Sequence, residues 1–355
     1  MGKAPKHEPA ENREGDIRPG RKPGPHPRTC RATCLASLLV ISSFLGGCSG
    51  IQSALDPAGE ESTTVANLFW VMVAGGTLIW IAVIGTLLFA ASRRERTISD
   101  ASAGRFILWG GAVFSSVTLL FLLAFALWLM PGLRPFAAPA DPSLTVEVTG
   151  KQFWWQVAYR LPDGSRVHAA NEIRLPVGRR VEFALDSDNV IHSFWIPALG
   201  GKMDMIPGRT NRLSLRATKP GTFRAPCAEY CGTSHALMAF SAVAMEPSAF
   251  DSWLAAQGRP AAGVAGSGAE IFLRNGCGAC HRVDGTEANA DIGPDLSHVG
   301  SRLTLGAGIL PNTEAAIARF IADPASIKPD AKMPAFGMLP PEEITAMAAW
   351  LKGLE

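Results

Sequence analysis

Residues 227–238 read Cys227-Ala-Glu229-Tyr-Cys231-Gly-Thr-Ser-His235-Ala-Leu-Met238, and a further histidine, His192, precedes Cys227 by 35 residues. Two thiols, two imidazoles and a thioether are soft or borderline donors, the set that suits copper. A mononuclear blue-copper site needs one cysteine, two histidines and a weak methionine. Here a second cysteine follows in Cys-x3-Cys spacing on one loop. Both thiolates can then bridge two coppers, leaving one imidazole per metal and weak axial ligands to complete the site. A lone Cys-x3-Cys pair would favour a structural disulfide, and zinc is a second alternative. The added His192, His235 and Met238 favour copper.

The flanking residues set the frame for that loop. Segments 144–159 (LTVEVTGKQFWWQVAY), 171–185 (NEIRLPVGRRVEFAL), 210–217 (TNRLSLRA) and 238–246 (MAFSAVAME) are apolar or alternating. Turn signals such as Pro162-Asp163-Gly164 and Lys219-Pro220-Gly221 separate them. Short strands at this spacing predict an all-β sandwich or barrel over residues 141–255.

Toward the N-terminus the pattern becomes that of a membrane protein. Residues 67–91 and 106–130 are two 25-residue runs without a charge, each long enough for a tilted transmembrane helix. Trp70, Trp80, Trp109 and Trp128 lie in these runs, and indole rings favour the membrane interface. The loop between them carries Arg93, Arg94, Arg96 and Arg105 against Glu95 and Asp100, so the positive-inside rule places it on the cytoplasmic side. Everything after Pro131 then faces outward. No charge interrupts either run, so neither helix offers a proton path. Upstream, a basic stretch, the short apolar run Leu35–Leu45 and Leu45-Gly46-Gly47-Cys48 read as a secretory signal over 1–47. The Leu-Gly-Gly-Cys ending resembles a bacterial lipobox, with Cys48 as the lipidated first mature residue of a segment 48–135 that holds the hairpin.

Toward the C-terminus, residues 256–267 are small and read as a flexible linker. Residues 268–355 follow, with Cys277-Gly-Ala-Cys280-His281 near their start. Cys-x-x-Cys-His is the attachment signature of c-type haem, in which both thiols join the porphyrin and the imidazole ligates iron. A sixth ligand is needed, and Met333 and Met338 compete for the role, with core packing the expected fate of Met338. His168 and His298 read as surface or locally bonded histidines.

Residues 62–255 resemble subunit II of the haem–copper cytochrome c oxidases, a two-helix hairpin followed by a cupredoxin-like CuA domain. The resemblance is carried by Val190-Ile-His192-Ser-Phe-Trp-Ile-Pro197, by Gly201-Lys202-Met-Asp204-Met-Ile-Pro207-Gly208-Arg209, and by the Cys227–Met238 loop. It implies binuclear copper (CuA) held by His192, Cys227, Cys231, His235 and Met238, with the carbonyl of Glu229 completing the site. It also implies that the Glu229 carboxylate reaches a Mg²⁺ or Mn²⁺ at the interface with the catalytic subunit. In the segment Gly150-Lys-Gln-Phe153-Trp154-Trp155 the family usually has a tryptophan that receives electrons where Phe153 stands. Phe153, Trp154 and Trp155 are therefore the candidates for electron input. A second departure is Asn189, three residues before His192, where the family often has an acid.

The tail is similar to all-α class I cytochromes c, including Gly293-Pro294-Asp295-Leu296 and a final helix from Pro341, and this similarity favours Met333 as the axial ligand. The order of hairpin, CuA domain and tethered haem c resembles the fused subunit II of caa-type oxidases. It implies a proton-translocating oxidase with catalytic subunits I and III as partners. The implied donor is cytochrome c or a quinol:cytochrome c reductase, and the implied location is the bacterial inner membrane with the redox domains outside. A nitric-oxide-type reductase subunit and a freestanding membrane-anchored carrier are the alternatives.

Composition agrees with a multidomain membrane protein. The chain is 355 residues long, 47% hydrophobic and only 18% charged, against about 25% charged in ordinary soluble domains. A net charge of +2 leaves no surplus of cations for nucleic acid. The seven cysteines divide into Cys30 and Cys34 in the signal, Cys48 for lipid, two for copper and two for haem, with none left for a disulfide.

Overall fold

Charge-free runs bordered by acids and prolines form long helices. The computed structural model describes residues 49–92, 99–133 and 144–355. The expected signal segment 1–47 with Cys30 and Cys34, the expected lipid site Cys48, and Arg93, Arg94 and Arg96 lie outside the described residues. Helix α1 (Glu60–Ser92) starts before the apolar run because its first turn is anchored. Glu60 and Glu61 favour the helix N-terminus, and Arg180 donates to Glu60 at 2.6 Å and to Glu61 at 2.5 Å. The Ala58 N–H donates to the Ala198 carbonyl and the Ser62 N–H to the Leu199 carbonyl. A β-carbon on Gly59 would lie 2.2 Å from the Leu199 oxygen, so only glycine permits this approach.

Helix α2 runs through Asp100–Phe106, seven residues of wider π-type turns (Ile107–Val113) and Phe114–Leu133. Both helices are long and apolar enough to cross a membrane. Trp80, Leu88, Phe121 and Trp128 stand exposed on them. Bare apolar surface of this extent is stable against lipid or another apolar partner.

The β domain contains β1 (Thr145–Lys151), β2 (Trp154–Arg160), β3 (Arg166–Ala170), β4 (Glu172–Pro176) and β5 (Arg180–Ser187). It continues through β6 (His192–Phe194), β7 (Met203–Met205), β8 (Asn211–Arg216), β9 (Gly221–Pro226) and β10 (Ala239–Met245). A five-stranded sheet in the order β3-β2-β1-β5-β8 faces a three-stranded sheet β4-β10-β9, and β6 pairs with β7. Strict alternation on β1 and β5 sends every second side chain into the core. There Trp155, Phe183, Phe194 and Phe240 are fully buried. The stretch expected as one strand over 144–159 is a hairpin, with Lys151 opposite Trp154.

Helix α3 (Pro247–Gln257) ends the β domain, and the haem lobe is built on α4 (Ser267–Arg274), α5 (Glu314–Ala322), the short α6 (Pro324–Ile327) and α7 (Pro341–Gly353). Helix α7 packs on both α4 and α5. Its contact with α4 is so close that a β-carbon on Gly268 would lie 2.3 Å from that of Trp350. The segment expected as a flexible linker is packed instead. Ala261 is buried, the Gly263 carbonyl accepts from Trp350 Nε1, and the Arg259 carbonyl lies 2.9 Å from His298 Nε2. His298, read from sequence as a surface or locally bonded histidine, is buried and bonds to that segment, 39 residues away in sequence.

Candidate redox sites

His192 begins β6 and Cys227 directly follows β9, so the two edges of the sandwich meet at one end. Cys227 Sγ lies 3.8 Å from His192 Nδ1 and 3.3 Å from the Glu229 carbonyl oxygen. Cys231 Sγ lies 3.6 Å from His235 Nδ1 and 3.9 Å from Met238 Sδ. The two sulfurs are 4.0 Å apart and unlinked. The six predicted donors thus form two matching halves, each with one imidazole and one weak ligand beside a shared sulfur pair. This donor set fits two bridged coppers, and a disulfide is not formed. Among the described residues, His192, Cys227 and Cys231 are the group whose ligand atoms lie close enough together for a metal.

The sulfur pair is asymmetric without metal. The hydrogen bond from Cys231 pulls the Cys227 thiol down to about 3, against the opposing effect of burial and with help from His192. The same contact and burial push the Cys231 thiol up. The first proton of the pair is therefore lost from Cys227 rather than from Cys231.

Packing fixes the first imidazole. A β-carbon on Gly150 would come within 2.8 Å of His192 Cδ2, so β1 can pass the ring only as glycine. Asn189 Oδ1 lies 3.4 Å from His192 Nε2, and Asn189 Nδ2 donates to Gln152 Oε1 at 3.1 Å. Gln152 Nε2 in turn donates to the Cys231 carbonyl at 2.7 Å. A bound copper on Nδ1 would leave Nε2–H to donate to Asn189, the usual outer support of a metal-bound histidine. The Glu229 carboxylate faces Lys202 at 3.9 Å, and Lys202 also pairs with Asp204 at 2.9 Å.

The second site is a cavity of about 540 Å³ whose lining includes Cys277, Cys280, His281 and Met333. His281 Nδ1 donates to the Pro294 carbonyl at 2.7 Å, which leaves the Nε2 lone pair free to ligate. Burial holds the His281 pKa below the ordinary histidine range, and the neutral ring is the ligating form. Cys277 and Cys280 are unpaired, and burial pushes the Cys277 thiol up. The apolar walls include Phe272 and Leu351. These residues fit a covalently attached haem. Met338, expected in the core, is 78% exposed and absent from the lining, so the structure brings Met333 rather than Met338 to the cavity.

Of the three electron-input candidates, Phe153 and Trp154 line the haem cavity. Trp155 does not. It is a core residue with its ring 6.1 Å from His192. Phe153 also lies against Gly232 of the copper-ligand loop. Gln152, inside the Gly150–Trp155 segment but given no role there, and Lys328, outside every sequence motif, also line the cavity.

A sandwich with a paired-cysteine copper loop, a helical lobe with a haem attachment motif and two apolar helices define a membrane-anchored electron-transfer subunit. Residues 144–245 match the family described as cytochrome c oxidase subunit II, periplasmic domain, and residues 265–355 match cytochrome c. Cytochrome c oxidase subunit 2 of Alkalihalophilus pseudofirmus is 32% identical over 333 residues, covering 90% of this chain and 96% of that protein. That of Bacillus subtilis is 30% identical over 350 residues with the same two coverages. The periplasmic domain of subunit II of a Bradyrhizobium japonicum cytochrome oxidase matches 34% of this chain and 95% of its own at 34% identity and a TM-score of 0.32. The chain belongs to the cytochrome c oxidase subunit 2 family, in the form that carries a fused cytochrome c domain.

Proposed function

We propose that this chain is the electron-receiving subunit of a terminal cytochrome c oxidase. Single electrons pass from the tethered haem c to the binuclear copper site and on to haem a in subunit I, where oxygen is reduced to water with proton pumping. The observation that carries this reading is the shared lining of the haem cavity. Lys151, Phe153, Trp154 and Asn189 of the copper domain stand in the same wall set as His281 and Met333. When bound, the haem iron and the copper pair each supply a one-electron couple.

The residues prepare both sites for that role. His281 is kept neutral and oriented by Pro294, while His192 is wedged against Gly150 and supported by Asn189. The thioether of Met333 would raise the potential of the haem. Tethering raises the local concentration of the donor, so tight docking of a soluble cytochrome at Phe153 is not required. The Glu229 loop would face subunit I and hold a Mg²⁺ or Mn²⁺ there, with Lys202 and Asp204 beside it. Subunit III completes the partners, cytochrome c or a quinol:cytochrome c reductase supplies electrons, and the bacterial inner membrane holds the two helices with the redox domains outside.

Purification of the tagged chain from membranes, followed by haem and metal spectra of what accompanies it, tests the assignment. A larger protein carrying haem a is expected. Haem c and copper alone would favour a freestanding carrier, and a nitric-oxide-type reductase would bring a catalytic subunit without haem a.

A further inference from the structure

Lys328 belongs to the haem lobe, five residues before Met333 in sequence, and is only 4% exposed. Among the described residues no carboxylate lies within ion-pair distance of it. Its Nζ donates to the Leu237 carbonyl at 2.9 Å and to the Gly306 carbonyl at 2.7 Å. Leu237 directly precedes the copper ligand Met238, and Gly306 lies in the haem-lobe loop between residues 305 and 310. One amine therefore joins the axial-methionine loop, a second haem-lobe loop and the copper-ligand loop.

The surrounding contacts continue the same seam. Ser234 Oγ, next to His235, donates to the Pro329 carbonyl at 2.5 Å. The Ala239 N–H donates to the Ala307 carbonyl at 3.0 Å, and Arg224 Nη1 donates to the Gly308 carbonyl at 3.0 Å. Burying an amine is unfavourable unless it is hydrogen-bonded, so an apolar side chain would be the ordinary occupant of this place. Both the neutral and the protonated amine offer the two N–H groups needed, so the clamp does not depend on which is present. Its partners are main-chain carbonyls rather than opposing surface charges, so salt screens it little.

We propose that Lys328 is a positioning residue for electron transfer: its two hydrogen bonds fix the haem cavity against the copper-ligand loop at one separation and orientation. This rests on the relay described above.

The test uses the intact complex with both cofactors. Lys328→Met removes the donors at similar length, and Lys328→Gln keeps an amide too short to reach both carbonyls. Flash reduction of the haem followed by optical detection of copper reduction gives the internal transfer rate. Static spectra report the integrity of each centre, and hydrogen exchange at the Ala239 amide reports the seam. Lys328→Met is expected to slow transfer about tenfold, the order of loss that a small misplacement of reacting groups produces. Lys328→Gln slows it less. The Ala239 amide exchanges faster, and the copper spectrum, recorded for each variant, separates slowed transfer from loss of the copper centre. An unchanged transfer rate in Lys328→Met overturns the proposal. If that variant does not assemble, an unchanged rate in Lys328→Gln does so. Absence of haem-to-copper transfer in the unsubstituted complex overturns the relay itself, and is distinguished because it appears before any substitution.

Discussion

Gly293 lies so close to the His281 imidazole that a β-carbon there would sit 2.6 Å from Cε1 and 2.9 Å from Nδ1. Gly293→Ala must push the ring away and break its hydrogen bond to Pro294. Overpacking of this kind costs about 1–3 kcal/mol. The expected outcome is a lower melting temperature of the holoprotein and an altered haem ligation spectrum, with copper spectra unchanged. Gly150→Ala, whose new methyl meets His192, should do the converse and perturb copper alone.

The two methionines separate cleanly. Met333 lines the haem cavity and Met338 is exposed. Met333→Ala should lower the haem potential by a substantial part of the roughly 0.8 V that axial ligands control. Met338→Ala should leave it unchanged. Redox titration of the haem absorbance checks both.

Copper loading should release about one proton per site rather than two, since both sulfurs bind as thiolates and the lowered Cys227 thiol favours giving up its proton before copper arrives. An indicator dye at pH 8 reads the release. The lowered Cys227 contributes stability that is complete above the ordinary thiol value of 9.0 and is lost as pH falls toward about 3. The raised Cys231 contributes stability that is complete below 9.0 and is lost as pH rises beyond it. Thermal melts of the metal-free protein should therefore show acid loss from the first and alkaline loss from the second.

Much of this was legible in sequence because the chemistry is local. The copper loop holds four side-chain donors within twelve residues, and the haem motif is contiguous, so chain connectivity alone brings those atoms near one another. The charge-free runs likewise announce their helices. The short strands β3, β6, β7 and β9 were not legible, since three to six residues carry too little periodicity. Gln152, Lys328 and the buried His298 gain their roles only from segments far away in sequence. Residues 256–267 look flexible by composition, yet Ala261 packs in the haem-lobe core and the carbonyls of Arg259 and Gly263 find partners on His298 and Trp350 of that lobe.

Arg180 should matter to the anchoring of α1 on the β domain. Its side chain is 16% exposed, and Arg180→Ala would leave the 17% exposed Glu61 carboxylate with the Arg216 N–H at 3.2 Å but without its ion-pair partner. A loss of about 1–2 kcal/mol in chemical denaturation is expected, since a half-buried charge loses its partner. Arg212→Ala breaks an exposed pair with Glu182 and should change stability by less than about 0.5 kcal/mol.

The most direct test of the relay is time-resolved absorption of the purified complex after a single electron is injected into haem c. Haem c reoxidation is expected to be matched in time and amount by copper reduction, with haem a reduction following. Haem c that stays reduced while copper remains oxidised would contradict it.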